Sequence, residues 1–200
     1  MPLFPAFLKL AGRRCLVVGA GPIAQEKIES LLHAGGKVRV VAPQATDFVR
    51  AWARAKKIRW EPRKFRPADL KGVFLVVAST SSPALHTDIY QLARRRGVLC
   101  NVVDDPLHCD FYYGAVVRRG ELQIAISTGG HSPALAQRLR KKLEQEIGSE
   151  YEHWLKKLGA ARKRLFAKSL SPARRKALLH SLASEISFEE FLQHRKARGK

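Results

Sequence analysis

The strongest constraint on the fold is a glycine-rich turn, Gly19-Ala20-Gly21-Pro22-Ile23-Ala24, set between an apolar run and a helical pattern. Arg14 to Gly19 reads R-C-L-V-V-G, the short apolar run of a strand buried on both faces. The helical pattern that follows runs to Leu31-Leu32 and is ended by Gly35-Gly36. In G-x-G-x-x-A at a strand-to-helix junction, the first glycine permits a tight turn and the second lets the backbone approach a pyrophosphate. The third small residue allows close helix–strand packing, and the phosphates meet the helix N-terminus. The context predicts dinucleotide binding; the alternative is a tight turn that holds no ligand.

The rest of the chain extends this unit. Val38–Val41 is a second strand stopped by Pro43, residues 45–56 read as helix, and Ile58-Arg59-Trp60 is a weak third strand. Val73–Ala78 is another buried strand, Ser82-Pro83 opens a helix that Gly97 closes, and Val98–Val103 is the last parallel strand. The order β-α-β-α-β-β-α-β predicts an α/β, Rossmann-like doubly wound parallel sheet. After Pro106 the pattern changes. Ala115-Val116-Val117, a turn at Arg119-Gly120, and Leu122, Ile124 and Ile126 alternating with Gln123, Ala125 and Ser127 predict an antiparallel hairpin. Ser132-Pro133 opens a helix with Leu135, Leu139, Leu143 and Ile147 on one stripe, ended by Gly148. Ser149 with Glu152 and Ser187 with Glu190 fit capping boxes, and Ser171-Pro172 is a further helix start. Three regions follow: a dinucleotide-binding domain over 1–110, a hairpin–helix segment over 111–148 and a helical region over 149–200.

Charge narrows the partners. The 200 residues carry a net charge of +20, distributed as +4, +8, −1 and +9 over successive fifties. This demands an acidic partner or reflects a solvated basic surface. No zinc-finger pattern, RNP-like strand or aromatic-interleaved basic motif supports nucleic acid beyond charge. No apolar run approaches a membrane span, and Met1-Pro2-Leu3-Phe4 lacks the layout of a secretory signal, so a cytoplasmic location is expected. Cys15, Cys100 and Cys109 form no CxxC pair, which argues against a disulfide framework or a zinc ribbon.

Two constellations carry candidate chemistry. Asn101-Val102-Val103-Asp104-Asp105-Pro106 sets two carboxylates just past the carboxyl end of a parallel strand, where open α/β sheets hold ligands. A carboxylate there suits a general base, a metal ligand or a partner for a ring N–H; turn chemistry is the alternative. Ser127-Thr128-Gly129-Gly130-His131-Ser132-Pro133 is a second glycine-rich turn feeding a helix N-terminus. The other histidines, His108 among them, read as surface or packing residues, and the cysteines as small core or loop residues. The acid that usually holds the adenosine ribose is missing, because the second strand ends Val41-Ala42-Pro43-Gln44. Arg39 and Arg50 nearby would suit a 2′-phosphate, so NAD and NADP both stay open.

Taken together, Pro5-Ala6-Phe7-Leu8-Lys9-Leu10 before G-R-R-C-L-V-V-G-A-G, then N-V-V-D-D-P, then R-G-E-L-Q-I-A-I-S-T-G-G-H-S-P-A-L-A resemble the precorrin-2 dehydrogenase / sirohydrochlorin ferrochelatase family, which also forms the N-terminal module of siroheme synthase. The resemblance covers residues 1 to about 150, and the helical remainder is similar only in architecture. It implies NAD-dependent oxidation of precorrin-2 to sirohydrochlorin and, in some members, insertion of Fe²⁺ to give siroheme. Asp104 is the implied catalytic group. The implied cofactor contacts are Gly19, Gly21, Pro22, Ile23, Pro43, Gln44, Thr80, Asn101 and Val102; Thr128, Gly129, Gly130, His131 and Ser132 are expected to meet the substrate. No resident metal is implied. A homodimer is expected, with 111–147 as its interface.

Three departures stand out. Ala20 replaces the middle residue of the usual G-G-G, Glu26-Lys27 replaces a basic pair, and Gly114 replaces a proline, which is expected to loosen the approach to the hairpin. Because the chain ends at Lys200, no methyltransferase module is expected, and precorrin-2 is expected from another protein. Two rival classes are a non-catalytic NAD-sensing module and a nucleic-acid binder.

Overall fold

The computed structural model describes residues 3–198. The chain forms two compact units, one up to Tyr113 and one from Gly114. The division keeps the hairpin, its helix and the C-terminal helices in one unit, where the sequence suggested a separation near 148.

The first unit holds five parallel strands: β1 (Arg14–Val18), β2 (Lys37–Val41), β3 (Arg59–Glu61), β4 (Leu75–Ala78) and β5 (Leu99–Val102). They order as β3-β2-β1-β4-β5, so the chain reverses its winding between β1 and β4. Helices α1 (Pro22–His33), α2 (Asp47–Arg54) and α3 (Pro83–Arg95) make the crossovers. Successive strand residues point to opposite faces, and both faces are covered. Cys15, Val17, Val40, Leu75 and Val77 join α1 and α2 in one core; Leu16, Val18, Val76, Cys100 and Val102 join α3 in the other. This two-sided burial is why the strands read as unbroken apolar runs. Thr46 caps α2, and Ser82 caps α3 by accepting from Leu85 N–H at 3.4 Å, with Pro83 at the first helical position.

A network of charges closes the β3 edge. The Asp69 carboxylate is 4% exposed and accepts from Arg63 at 2.7 and 2.9 Å and from the Arg66 amide at 2.8 Å. Arg39 lies 3.5 Å from both Asp69 and Glu61, and Arg63 also reaches Glu61. Burial raises the Asp69 carboxyl pKa, but the hydrogen bonds and charges of Arg63, with Arg66 and Arg39, outweigh it and hold the group below its ordinary value.

The second unit opens with a hairpin of β6 (Ala115–Arg119) and β7 (Leu122–Ile126), paired Arg119 to Leu122, so the turn is Gly120-Glu121, one residue later than the sequence suggested. Helices α4 (Pro133–Glu146), α5 (Glu150–Phe166), α6 (Pro172–Leu182) and α7 (Glu185–Arg198) follow. Arg119 donates to the Ile147 and Glu144 carbonyls at 2.7 and 2.9 Å, tying β6 to the carboxyl end of α4. Tyr151, Trp154, Phe188 and Phe191 join α5 to α7, with ring centroids 4.6–5.7 Å apart.

On α4 the buried residue is Ala136, while Leu135 and Leu139 are 38% and 37% exposed. Three local expectations are corrected. Ser149 makes no cap hydrogen bond: its backbone is already helical, and Glu152 pairs with Lys156 instead. Ser187 sits inside α7, and Ser184 caps it by accepting from Ser187 N–H at 3.3 Å. Gly114 does not loosen the approach to the hairpin; a Cβ on it would lie 2.7 Å from the Ile126 carbonyl, so the missing side chain lets the backbones close together. Among the described residues, no helix is long and apolar enough to cross a membrane.

Replacing Asp69 by Asn should destabilise the first unit by about 2 kcal/mol at neutral pH, because a charged, buried acceptor of several donors is lost. The folded carboxyl is depressed, so its contribution is present above the ordinary value of 3.8 and is lost as pH falls through the lower folded value. Urea unfolding of both proteins against pH should show the difference shrinking in that acid window.

Candidate functional site

The site begins where β1 and β4 lie side by side at the reversal of winding, the position at which open α/β sheets form a ligand crevice. Their hydrogen bonding continues past the strands: Gly19 N–H reaches Val41 O at 3.0 Å, Ser79 N–H reaches Val18 O at 2.8 Å and Val103 N–H reaches Ala78 O at 2.9 Å. Gly19 has φ +109°, and a Cβ there would sit 1.9 Å from the Ser79 carbonyl. Only glycine tolerates both the dihedral and the approach of β4. Gly21 is different. Its φ is −76°, and a Cβ on it would meet nothing within 4 Å. Packing therefore does not require glycine at 21; the exposed surface above it is open to a ligand.

Gly21 is also the N-cap of α1 and supplies no side-chain cap, and the first turn carries no acid. With Pro22 lacking an N–H, the Ile23 and Ala24 amides lie in the first turn, where a helix has no internal acceptor. An anion at this end would meet both amides and the positive end of the dipole. Pro43 and Gln44 are exposed just past β2, and Thr80 is half-buried just past β4. These features fit a dinucleotide lying across the carboxyl ends of the strands. Arg39 and Arg50, the cations that would suit a 2′-phosphate, are engaged elsewhere: Arg39 with Asp69 and Glu61, Arg50 through Nε to Ala45 O at 2.9 Å.

Asp104 follows β5 with φ +60°, a left-handed conformation that costs a residue bearing a Cβ of order 1 kcal/mol or more. A laced loop holds it there. Asp105 N–H bonds to Val102 O at 3.3 Å, and His108 Nδ1 lies 2.6 Å from Asp105 Oδ2. The Cys109 thiol bonds to the carbonyls of Val102 and Asp105 at 3.1 and 3.2 Å. Asp110 pairs with the outer edge of β5, accepting from Cys100 N–H at 2.9 Å and donating its own N–H to Cys100 O at 2.7 Å. Asn101 is buried, with its amide nitrogen donating to Phe111 O at 2.8 Å. The Asp104 carboxylate is exposed at the head of this loop. The hydrogen bond to His108 leads the lowering of the Asp105 pKa, whereas burial raises the Cys109 thiol and pushes Cys100 up to about 12 and Cys15 up to about 11. The thiols act as packing groups, not nucleophiles.

His108 packs edge-on against Tyr90 at 4.9 Å, as a packing residue does, and in addition partners Asp105. The signal was available, since an acid and a histidine three apart around Asp105-Pro106 face each other in one helical turn. Lys27, the neighbour of the Glu26 that departs from the family pattern, lies 4.4 Å over the Tyr113 ring.

In the second unit, the turn after β7 is held by its own side chains. Ser127 accepts from Gly129 N–H at 3.2 Å, Thr128 from Ser132 N–H at 3.2 Å and Ser132 from Leu135 N–H at 3.2 Å. Gly129 and Gly130 have φ +61° and +85°, and His131 is exposed. The structure thus gathers the candidate cofactor residues and Asp104 along one edge of the first unit's sheet, and the candidate substrate residues into a rigid turn of the second. Among the described residues, no group of three or more His, Cys, Asp or Glu is disposed to hold a metal ion.

Comparison with known proteins agrees with this geometry. A family model described as "Putative NAD(P)-binding" matches residues 6–115, and one described as "Sirohaem biosynthesis protein central" matches residues 119–146. The siroheme synthase of Nitrosococcus oceani is 40% identical over 151 residues, covering 76% of this chain and 32% of that protein. The siroheme synthase of Photorhabdus laumondii is 35% identical over 177 residues, 88% of this chain and 38% of that protein. The chain thus spans 32–38% of the length of these relatives. A solved structure named "SirC, precorrin-2 dehydrogenase" aligns with a TM-score of 0.79 at 28% identity, over 98% of this chain and 100% of that one. A glycine turn open above an uncapped helix, an aspartate held past the last parallel strand and these matches agree: the chain belongs to the NAD(P)-binding family that includes precorrin-2 dehydrogenase and the N-terminal module of siroheme synthase.

Proposed function

We propose that this chain oxidises precorrin-2 to sirohydrochlorin, with NAD as the hydride acceptor, and that it works as a homodimer. The observation that carries the proposal is the end-to-end likeness to a precorrin-2 dehydrogenase, 98% of this chain against 100% of that one. NAD is favoured over NADP because Arg39 is held by Asp69 and Glu61, and Arg50 donates through Nε to the Ala45 carbonyl.

In this reading the amides of Ile23 and Ala24 receive the pyrophosphate, Gly21 lets it approach, and Pro43 and Gln44 flank the adenosine. Thr80, Asn101 and Val102 line the nicotinamide side. Bound NAD would supply the two-electron acceptor. The macrocycle loses a hydride and a proton, and Asp104 positions the ring and takes that proton. An exposed carboxylate on a fixed loop suits the role, because the Asp105–His108 and Cys109 contacts hold the loop that aims it. The turn Thr128-Gly129-Gly130-His131-Ser132 meets the substrate's carboxylates. If Fe²⁺ is a second substrate, the same carboxylate draws the ion and accepts pyrrole protons as it enters. The basic first unit raises the capture rate of a polycarboxylate. The exposed Leu135 and Leu139 on α4 support a second copy as the cover of that stripe.

Anaerobic incubation with precorrin-2 and NAD, followed by Fe²⁺, tests the proposal through the absorption spectrum. Sirohydrochlorin should form with NAD and far more slowly with NADP; NAD binding without oxidation favours the sensing module instead. Asp104→Ala should lower turnover roughly 10²-fold or more while NAD affinity stays near normal. Gly21→Val should leave the unfolding midpoint nearly unchanged but weaken NAD binding at least roughly tenfold in fluorescence titration, since its side chain enters only the ligand's space. Leu135→Glu with Leu139→Glu should convert a dimer to monomers in analytical ultracentrifugation.

A further inference from the structure

The proposed chemistry leaves the positive charge of the C-terminal helices without a task. Residues 153–184 contain nine Lys and Arg and no Asp or Glu. Among the described residues, one of those nine, Lys156, has an acidic partner within ion-pair distance. Two of the others, Lys157 and Arg164, turn up together at a cavity of about 480 Å³ in the second unit. Its floor is aromatic, with Trp154 and Phe191 7% and 9% exposed and their centroids 5.1 Å apart. Its rim is cationic. Lys157 Nζ lies 5.5 Å from the Trp154 ring and 5.4 Å from the Phe191 ring, and the Arg195 guanidinium lies 5.9 Å from Phe191. His194 joins them, its Nδ1 2.7 Å from the Glu190 backbone carbonyl, which orients the ring. Glu190 also lines the cavity, and among the described residues it forms no ion pair with Lys157, Arg164 or Arg195.

Lys157 and Arg195 are exposed cations held over aromatic faces and, among the described residues, without an ion-pair partner, so both are placed to meet an anion. The volume lies within the range of small-molecule sites, and the aromatic floor favours a ligand with a conjugated body over a bare inorganic ion. We propose that this cavity, contained in the helices α5 to α7, is a second binding site that takes a planar, conjugated polyanion. Its charge is met by Lys157, Arg164 and Arg195 and its body by Trp154 and Phe191. A tetrapyrrole polycarboxylate and an aromatic nucleotide phosphate share this chemistry. The choice of the first as a probe rests on the dehydrogenase proposal; the site itself does not.

The test is calorimetric titration of the full chain, saturated with NAD, with uroporphyrin in one arm and ATP in another. Uroporphyrin is expected to bind at two sites per chain, and ATP, with the NAD site filled, at one if the cavity prefers phosphate. Lys157→Glu with Arg164→Glu should weaken the added site roughly tenfold or more and leave precorrin-2 turnover unchanged. Lys163→Glu with Lys168→Glu makes the same charge change on exposed neighbours outside the cavity and should have little effect. Lys157→Gln with Arg164→Gln, checked by circular dichroism, guards against misfolding and should weaken binding in the same direction. Equal weakening by both charge reversals would mean a diffuse basic field and overturn the proposal. So would the absence of any site beyond the catalytic one in both arms, or tight binding of duplex nucleic acid with neither small ligand bound. Loss of turnover in the unmodified chain with the added site intact would overturn the dehydrogenase reading alone.

Discussion

The close approach of β1 and β4 at Gly19 is the constraint on which the first unit depends. The chain must leave β1, turn over the end of β4 and start α1 within a few residues, and the Ser79 carbonyl leaves no room for a Cβ at the turn. That contact sets the direction of α1 and brings its uncapped N-terminus to the crevice between the two halves of the sheet. The same residue that solves a packing problem thus brings unpaired helix amides to the place where the proposed cofactor would lie. Gly21, two positions on, meets no packing demand, since a Cβ on it would touch nothing within 4 Å.

At the far edge a second device serves the chemistry. β5 is an edge strand, and an unpaired edge invites association. The returning loop covers it: Asp110 bonds to both the amide and the carbonyl of Cys100, and Asn101 holds Phe111. The same loop, tied by Cys109 and by Asp105 with His108, keeps Asp104 in a left-handed conformation that its own backbone resists. Edge protection and the positioning of the candidate catalytic carboxylate are one construction. A reactive group at such a place gains rigidity from hydrogen bonds that the fold needs in any case.

Much of the sheet was legible in the sequence because its signals are local. Four apolar runs, Pro at the first position of a helix, Ser82 and Ser132 as caps and Gly97 as a stop each act over a few residues, and each corresponds to a feature of the structure. Failures occurred where a local pattern had two satisfactory outcomes. Ser187 and Glu190 fit a capping box, but Ser184 three residues earlier also caps, and the Phe188–Phe191 face packing on Trp154 favours the longer helix. The leucines of α4 have helical spacing, yet spacing alone does not say which side of the helix is buried, and in the structure that residue is Ala136.

By itself the sequence determined the fold class, the order of the elements, the dinucleotide turn and the aspartate past the last strand, because periodicity, turn residues and chain position are properties of a single segment. Tertiary structure decided which cations are spent and which remain. Arg39 and Arg50 stand near the cofactor edge in the sequence, but folding commits them to Asp69, Glu61 and Ala45. It also decided that His108 stacks edge-on against Tyr90, and that Phe191 of α7 comes against Trp154 of α5 beside Lys157. The physical reason is that a charge's partner is set by distances of 3–4 Å in space, and residues thirty positions apart acquire such distances only when the chain has packed.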